Sequence, residues 1–243
     1  MNALKQYIEL FDEHRDLVNS NGAPLLNDFR DKARGILENM TLPAKGTENY
    51  EHSDLNEVLA PDYGINIARQ AIAVNPAASF KCDVPNMSTA LFFLINDSWA
   101  CTDNSYNKVP EGVVIDSLRR VATNNPELIA DYYGKVAEIT NPIVALNTML
   151  AQDGLVVYIP KNTIVEKPIQ LVNIFQNASP LLAFRRLLSI AEENSQAQLL
   201  VCDHTQNQEC NFLSVQTVEI VAKRGARFDL YDLEESSKKT NRL

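Results

Sequence analysis

Glycine is scarce in this chain. There are 8 glycines in 243 residues, about half the usual share of ~7 %, and no two of them lie within ten residues of each other. Such spacing excludes a P-loop, a G-x-G-x-x-G dinucleotide turn and a G-x-S-x-G nucleophile elbow, each of which needs paired glycines. Basic residues are also few: Lys and Arg number 22 against 31 Asp and Glu, a formal charge of −9. Neither a nucleic-acid surface nor an anionic-membrane patch fits that balance. The histidines, His14, His52 and His204, are too widely spaced for H-E-x-x-H. Four cysteines fall at 82, 101, 202 and 210 without a C-x-x-C pair, so no disulfide framework is expected. The longest wholly apolar run is Ala90–Ile95, far short of the ~20 residues that span a bilayer. Acidic residues at Glu9, Asp12 and Glu13 interrupt the N-terminal stretch, which therefore reads as no signal peptide. A cytoplasmic setting is the expectation.

What is present reads as helices first and strands afterwards. Leu4, Tyr7, Ile8, Phe11, Leu17 and Val18 recur near helical spacing, which predicts an amphipathic helix over 2–19. Asn21-Gly22 stops it, and Pro24 opens a second helix to about Met40. Residues 41–66 are polar and broken by Pro43, Gly46, Pro61 and Gly64. Strands are predicted near Phe80–Val84, Ala90–Ile95 and Val113–Leu118, a helix from Asn125 to Gly134, and another over Pro142–Ala151. Beyond Gly154 the texture becomes short, β-branched segments between polar corners: 155–159, 163–166, 169–174, 182–191, 197–203, 212–222 and 227–233. Residues 192–201 and 221–230 also superimpose weakly, setting Ala197 against Ala226. Repeating strand-corner-strand units suggest a solenoid, with a sandwich of hairpins as the alternative. Residues 234–243 are polar and without periodicity.

Four blocks carry a resemblance. They are Leu42-Pro43-Ala44-Lys45-Gly46-Thr47-Glu48-Asn49-Tyr50-Glu51-His52-Ser53-Asp54-Leu55, then Val109-Pro110-Glu111-Gly112-Val113-Val114, then Ala145-Leu146-Asn147-Thr148 through Asp153-Gly154, then Tyr158-Ile159-Pro160-Lys161-Asn162 through Glu166-Lys167-Pro168-Ile169-Gln170-Leu171. In this order they resemble the SufD-type subunits of the SufB/SufD family, which serves the SUF iron–sulfur cluster assembly system. The resemblance implies a mostly β fold with a helical N-terminal region and a right-handed parallel β-helix, a single-stranded solenoid that looks truncated. It places a mixed N-terminal region at 1–153 and the first coils of the β-helix at 154–243. It implies a non-enzymatic scaffold acting with a SufB-like paralogue and a SufC-like ATPase, with a homodimer also conceivable. The cluster would belong to the whole complex, with no cofactor bound by this stretch alone, which looks like the front half of such a chain. Asn162 stands where the family usually has glycine, a mild change at a corner because asparagine tolerates positive φ.

Cys202, His204 and Cys210 form the one metal-like cluster. Cys202 and His204 are two apart on a predicted strand and share a face, and Cys210 could fold back across 205–209. Thiolate and imidazole suit zinc or iron, yet three ligands leave a site incomplete, and ordinary strand residues are the alternative. Lys45, Glu48 and Tyr50 read either as a docking loop or as a loop pinned by Tyr50 and Leu55. Trp99 reads as an interface anchor or a core residue. The adjacent carboxylates Glu192-Glu193 and Glu234-Glu235 sit at corners or on opposite strand faces, a poor geometry for acid–base catalysis. From another class, a β-helix enzyme acting on acidic polysaccharide would need secretion and clustered carboxylates, and neither is apparent.

Overall fold

The computed structural model describes residues 3–70, 88–100 and 108–243. The predicted strand at Phe80–Val84, along with Cys82 and Cys101, lies outside them. Helix α1 spans Leu4–Ser20 and buries Leu4, Tyr7, Phe11 and Val18, positions spaced to line one stripe. Helix α2, Pro24–Leu37, opens on proline, whose missing N–H costs nothing in the first turn. The short α3, Leu55–Leu59, is capped by the Asp54 side chain, which accepts from the Glu57 amide. Strands β1 (Ala90–Ile95), β2 (Ser98–Trp99) and β3 (Val114–Ser117) follow. Ser117 then caps α4, Leu118–Asn124, by accepting from the Arg120 amide. Instead of the helix expected from Asn125 to Gly134 there is a single 3₁₀ turn, Pro126–Leu128. Helix α5, Pro142–Leu150, is capped by Asn141, whose side chain accepts from Ile143 and Val144.

The remaining strands are β4 (Asp153–Ile159), β5 (Ile169–Phe175), β6 (Leu181–Ala191), β7 (Gln196–Thr205), β8 (Phe212–Ala222), β9 (Arg227–Glu235) and β10 (Thr240–Arg242). They form two five-stranded sheets, ordered β2-β1-β5-β7-β9 and β10-β8-β6-β4-β3. Neighbours pair in parallel except at β2 against β1 and β3 against β4, which are antiparallel. Ala90, Phe92 and Leu94 of β1, Leu155, Val157 and Ile159 of β4, and Leu199 and Val201 of β7 meet in one core between the sheets. On the far side of the second sheet, Leu182, Phe184, Leu213 and Val215 pack against α1, α2 and α5. Val156, Leu188 and Ile190 pack there against α2, α4 and Tyr133. Strands from both sides of position 153 share each sheet, since β1 pairs with β5 and β3 with β4.

This arrangement corrects the expected fold class. The chain is not a right-handed parallel β-helix built as a single-stranded solenoid, but a layered structure of two mixed sheets with helices. The antiparallel β2 and β3 break the uniform parallel pairing that class requires. Strand β6 shows the physical reason most directly. All eleven of its residues are buried, because one face meets the opposing sheet and the other meets helices. Short apolar segments between polar corners report where strands lie, but not what covers their second face. The weak repeat also slips by two residues, with Ala197 lying beside Phe228 instead of Ala226. Nor is the polar tail featureless, because Thr240–Arg242 pairs in parallel with β8. The segment 163–166, read as a strand, contributes only an isolated bridge from Ile164 to Gln196.

Candidate functional site

Strand β7 sorts the candidate metal ligands. Val201 and Asp203 face the core between the sheets, so Cys202 and His204 share the outer face, as their spacing predicts. Cys202 is 2 % exposed, and its Sγ accepts from Gln170 Nε2 at 3.5 Å. His204 is set beside Glu235 by the β7–β9 register, and its Nδ1 lies 3.2 Å from Glu235 Oε2. Cys210 sits on the turn before β8, where Asn207 Nδ2 donates to its Sγ at 3.0 Å. There it packs beside Phe175, Leu181 and Phe212, on the inner side of the strands. The strand face and the turn therefore direct these side chains to different surroundings. Among the described residues no group of three or more His, Cys, Asp and Glu is gathered to hold a metal ion.

Charge is concentrated instead in two buried networks that sequence reading missed. Both begin at adjacent arginines of β6, whose side chains point to opposite faces. Inward, Arg185 Nε donates to the Asn96 carbonyl at 2.5 Å and Nη1 to Asp203 Oδ1 at 2.7 Å. Its guanidinium also covers the Phe175 ring at 4.3 Å. Burial lowers the Arg185 pKa, opposed by the neighbouring Asp203 and Asp97. Asp203 is approached in turn by Arg242 of β10 at 3.1 Å, and Arg242 also pairs with Asp232 at 2.9 Å and with Glu234. Nearby, Arg69 pairs with Asp97 at 3.0 Å and reaches Asp153 at 3.8 Å. Burial raises the Asp97 pKa, and the positive charge of Arg69 only partly opposes it.

Outward, Arg186 Nε donates to Glu219 Oε2 at 2.8 Å, and Nη1 donates to Thr148 Oγ1 at 2.8 Å. Glu219 Oε1 accepts from the Ala137 amide at 3.0 Å, and Arg186 lies over the Tyr133 ring at 4.9 Å. Asn147 Nδ2 donates to the carbonyls of Arg185 and Val215, each at 2.8 Å. The Asn147-Thr148 motif thus fastens α5 to two strands, and Glu219 anchors the segment before it. The Asp153-Gly154 step has an equally definite task. Asp153 Oδ1 accepts from the Ser117 hydroxyl at 2.7 Å, the Gly154 amide at 2.8 Å and the Arg119 amide at 3.1 Å. Gly154 is needed because a Cβ there would overlap the Arg186 carbonyl of the adjacent strand.

The remaining motifs sort in the same way. Asn162 (φ 58°), Asn194 (φ 56°) and Gly225 (φ 72°) all occupy the left-handed region at corners lying one beside the next. Asn194 Nδ2 donates to Asn162 Oδ1 at 3.1 Å, and the Asn194 amide donates to the Arg224 carbonyl. The expectation for Asn162 is met by its geometry. Glu193 pairs with Lys161 at 2.6 Å and Glu192 with Lys223 at 2.7 Å, so both are engaged at corners. Leu55 is fully buried and Tyr50 packs partly against the helical core, whereas Lys45 and Glu48 are exposed. Trp99 stacks on Phe92 with centroids 5.7 Å apart, a core contact. The signal that could have revealed the networks is Arg185-Arg186 itself, two adjacent charges inside an apolar run, each of which needs a partner if buried.

Comparison with known proteins converges on one family. The family described as SufBD protein N-terminal region matches residues 1–171. A Synechocystis iron–sulfur cluster assembly SufBD family protein, slr0076, is 26 % identical over 184 residues, covering 75 % of this chain and 40 % of its own. A second Synechocystis member, slr0074, is 32 % identical over 216 residues, covering 83 % of this chain and 45 % of its own. The iron–sulfur cluster assembly protein SufD of Bacillus subtilis is 25 % identical over 141 residues, covering 54 % of this chain and 32 % of its own. The chain thus spans less than half the length of these curated relatives. With the matched region extending from its first residue into β5, the chain belongs to the SufBD family.

Proposed function

We propose that this chain serves iron–sulfur cluster assembly as a non-enzymatic scaffold subunit, acting with a SufB-like paralogue and a SufC-like ATPase, with the cluster as cargo of the complex. The observation that carries the reading is the family match over residues 1–171, joined to relatives named for iron–sulfur cluster assembly. The motifs that carry the resemblance support a structural role, since Asn147, Thr148, Asp153 and Gly154 all fasten the layers together. A cytoplasmic setting belongs to the proposal. Among the described residues no helix is long and apolar enough to cross a membrane, and one relative, from Arabidopsis thaliana, is named as chloroplastic.

The test is co-expression with SufB-like and SufC-like partners, affinity capture of this chain, and quantitation of iron and acid-labile sulfide. Stoichiometric co-purification, with iron and sulfide in the complex and not in the chain alone, is expected. Failure to capture either partner, or a visible chromophore on the isolated chain that is lost in Cys202→Ser, would overturn the proposal.

A further inference from the structure

Between the two sheets the apolar core gives way at one end to a polar layer. The β5–β7 register sets Asn173 beside Asp203, and both side chains face inward with that of Arg185. Across the layer, the β8–β10 register sets Ser214 beside Arg242, which reaches Asp203. Asn173 is fully buried, and Arg185, Asp203 and Ser214 are 1–2 % exposed. Several polar atoms of this layer nevertheless lack hydrogen-bond partners: both Nδ2 and Oδ1 of Asn173, Nη2 of Arg185 and Oγ of Ser214. A buried polar atom left without a partner keeps the whole cost of leaving water. Four such atoms in one buried layer are therefore incompatible with its being dry.

The chemistry of the set selects the ligand. It must accept from Asn173 Nδ2 and Arg185 Nη2, and donate to Asn173 Oδ1. Charge excludes a bound anion, because Arg69, Arg185 and Arg242 already face Asp97, Asp153 and Asp203, with Asp232 and Glu234 adding negative charge at the rim. A neutral molecule that both donates and accepts is required, and water meets this with two of each. We propose that the layer around Asn173 is a built hydration site, holding internal water that joins the Arg185–Asp203 pair to Asn173 and Ser214.

The test is a high-resolution crystal structure of the chain, with a second crystal soaked in bromide. Solvent peaks at hydrogen-bonding distance from the Asn173 amide and from Arg185 Nη2, without anomalous signal, are expected. A bromide peak there would make it an anion site and overturn the proposal. So would a layer free of solvent peaks in which Asn173 bonds directly to protein atoms. In solution, the Asn173 side-chain amide protons should show cross-relaxation with long-lived water, and its absence would count equally against internal water.

Discussion

Replacing Glu219 with glutamine changes one atom and removes one charge, so it isolates what the outward network contributes. Glu219 and Arg186 are both fully buried at their side chains. The carboxylate uses one oxygen for Arg186 and the other for the Ala137 amide. A glutamine satisfies only one of these: its NH2 must face either the guanidinium or the Ala137 N–H, donor against donor. The Arg186 charge then remains buried with only Thr148, Asn147 and the Tyr133 ring around it. Breaking a buried pair in this way costs about 3–5 kcal/mol. Removing both charges together, as Arg186→Met with Glu219→Leu, takes away the desolvation burden too, and such replacements are often neutral or better. Methionine also keeps a favourable contact with the Tyr133 ring. Urea denaturation followed by circular dichroism should show Glu219→Gln strongly destabilised and the double variant recovering most of the loss. A cost below about 1 kcal/mol for Glu219→Gln, or a double variant no more stable than Glu219→Gln, would refute the reasoning.

Three further outcomes follow from positions already described. Gly154→Ala should cost about 3 kcal/mol or more, because its methyl group would meet backbone and not a movable side chain; thermal denaturation against wild type measures it. Gly225→Ala should cost about 1–2 kcal/mol from its left-handed φ, while Asn162→Gly should stay within roughly 0.5 kcal/mol, since glycine takes that conformation freely. For Asp97, whose pKa is raised chiefly by burial, the folded state binds a proton more tightly than the unfolded chain. Its contribution to stability is full below the unfolded carboxylate pKa, about 3.9, and is lost as pH rises through the higher folded value. Denaturation midpoints of wild type and Asp97→Asn should therefore shift in favour of wild type as pH is lowered from neutral toward that value; a pH-independent gap would contradict it.

The sequence is an uneven guide to this structure, for identifiable reasons. Ala90–Ile95 and Phe212–Ala222 match their strands at both ends because polar residues, Thr89 and Asn96 in one case and Asn211 and Lys223 in the other, bound each segment. Helix Leu118–Asn124 is hidden because Val114–Ser117 runs straight into it, and the signal separating them is the Ser117 cap, a single hydroxyl. Strand Thr240–Arg242 is invisible to periodicity because it is three polar residues long. The shared face of Cys202 and His204 follows from a spacing of two, whereas the placement of Cys210 depends on a turn held by Asn207. Both arginine networks went unread, although the adjacent Arg185-Arg186 inside an apolar run is a signal for them. Their partners Asp203 and Glu219 lie on later strands: the β6–β8 register brings Glu219 to Arg186, and the packing of the two sheets brings Asp203 to Arg185.

The order of strands bears on how the chain is made. Successive strands from β4 onward alternate between the two sheets, so each finds its parallel neighbour only after the next strand has been laid down. Neither sheet can be finished without the other. The wait is longest for β1, which ends at Ile95 while its partner β5 begins at Ile169. On a ribosome elongating at ~5–20 residues per second, that interval is roughly 4–15 s. Throughout it the nascent Ala90–Ile95 segment presents six apolar residues without the strand that buries them. Non-local pairing of this kind slows folding and leaves unpaired edges exposed while they wait for their partners.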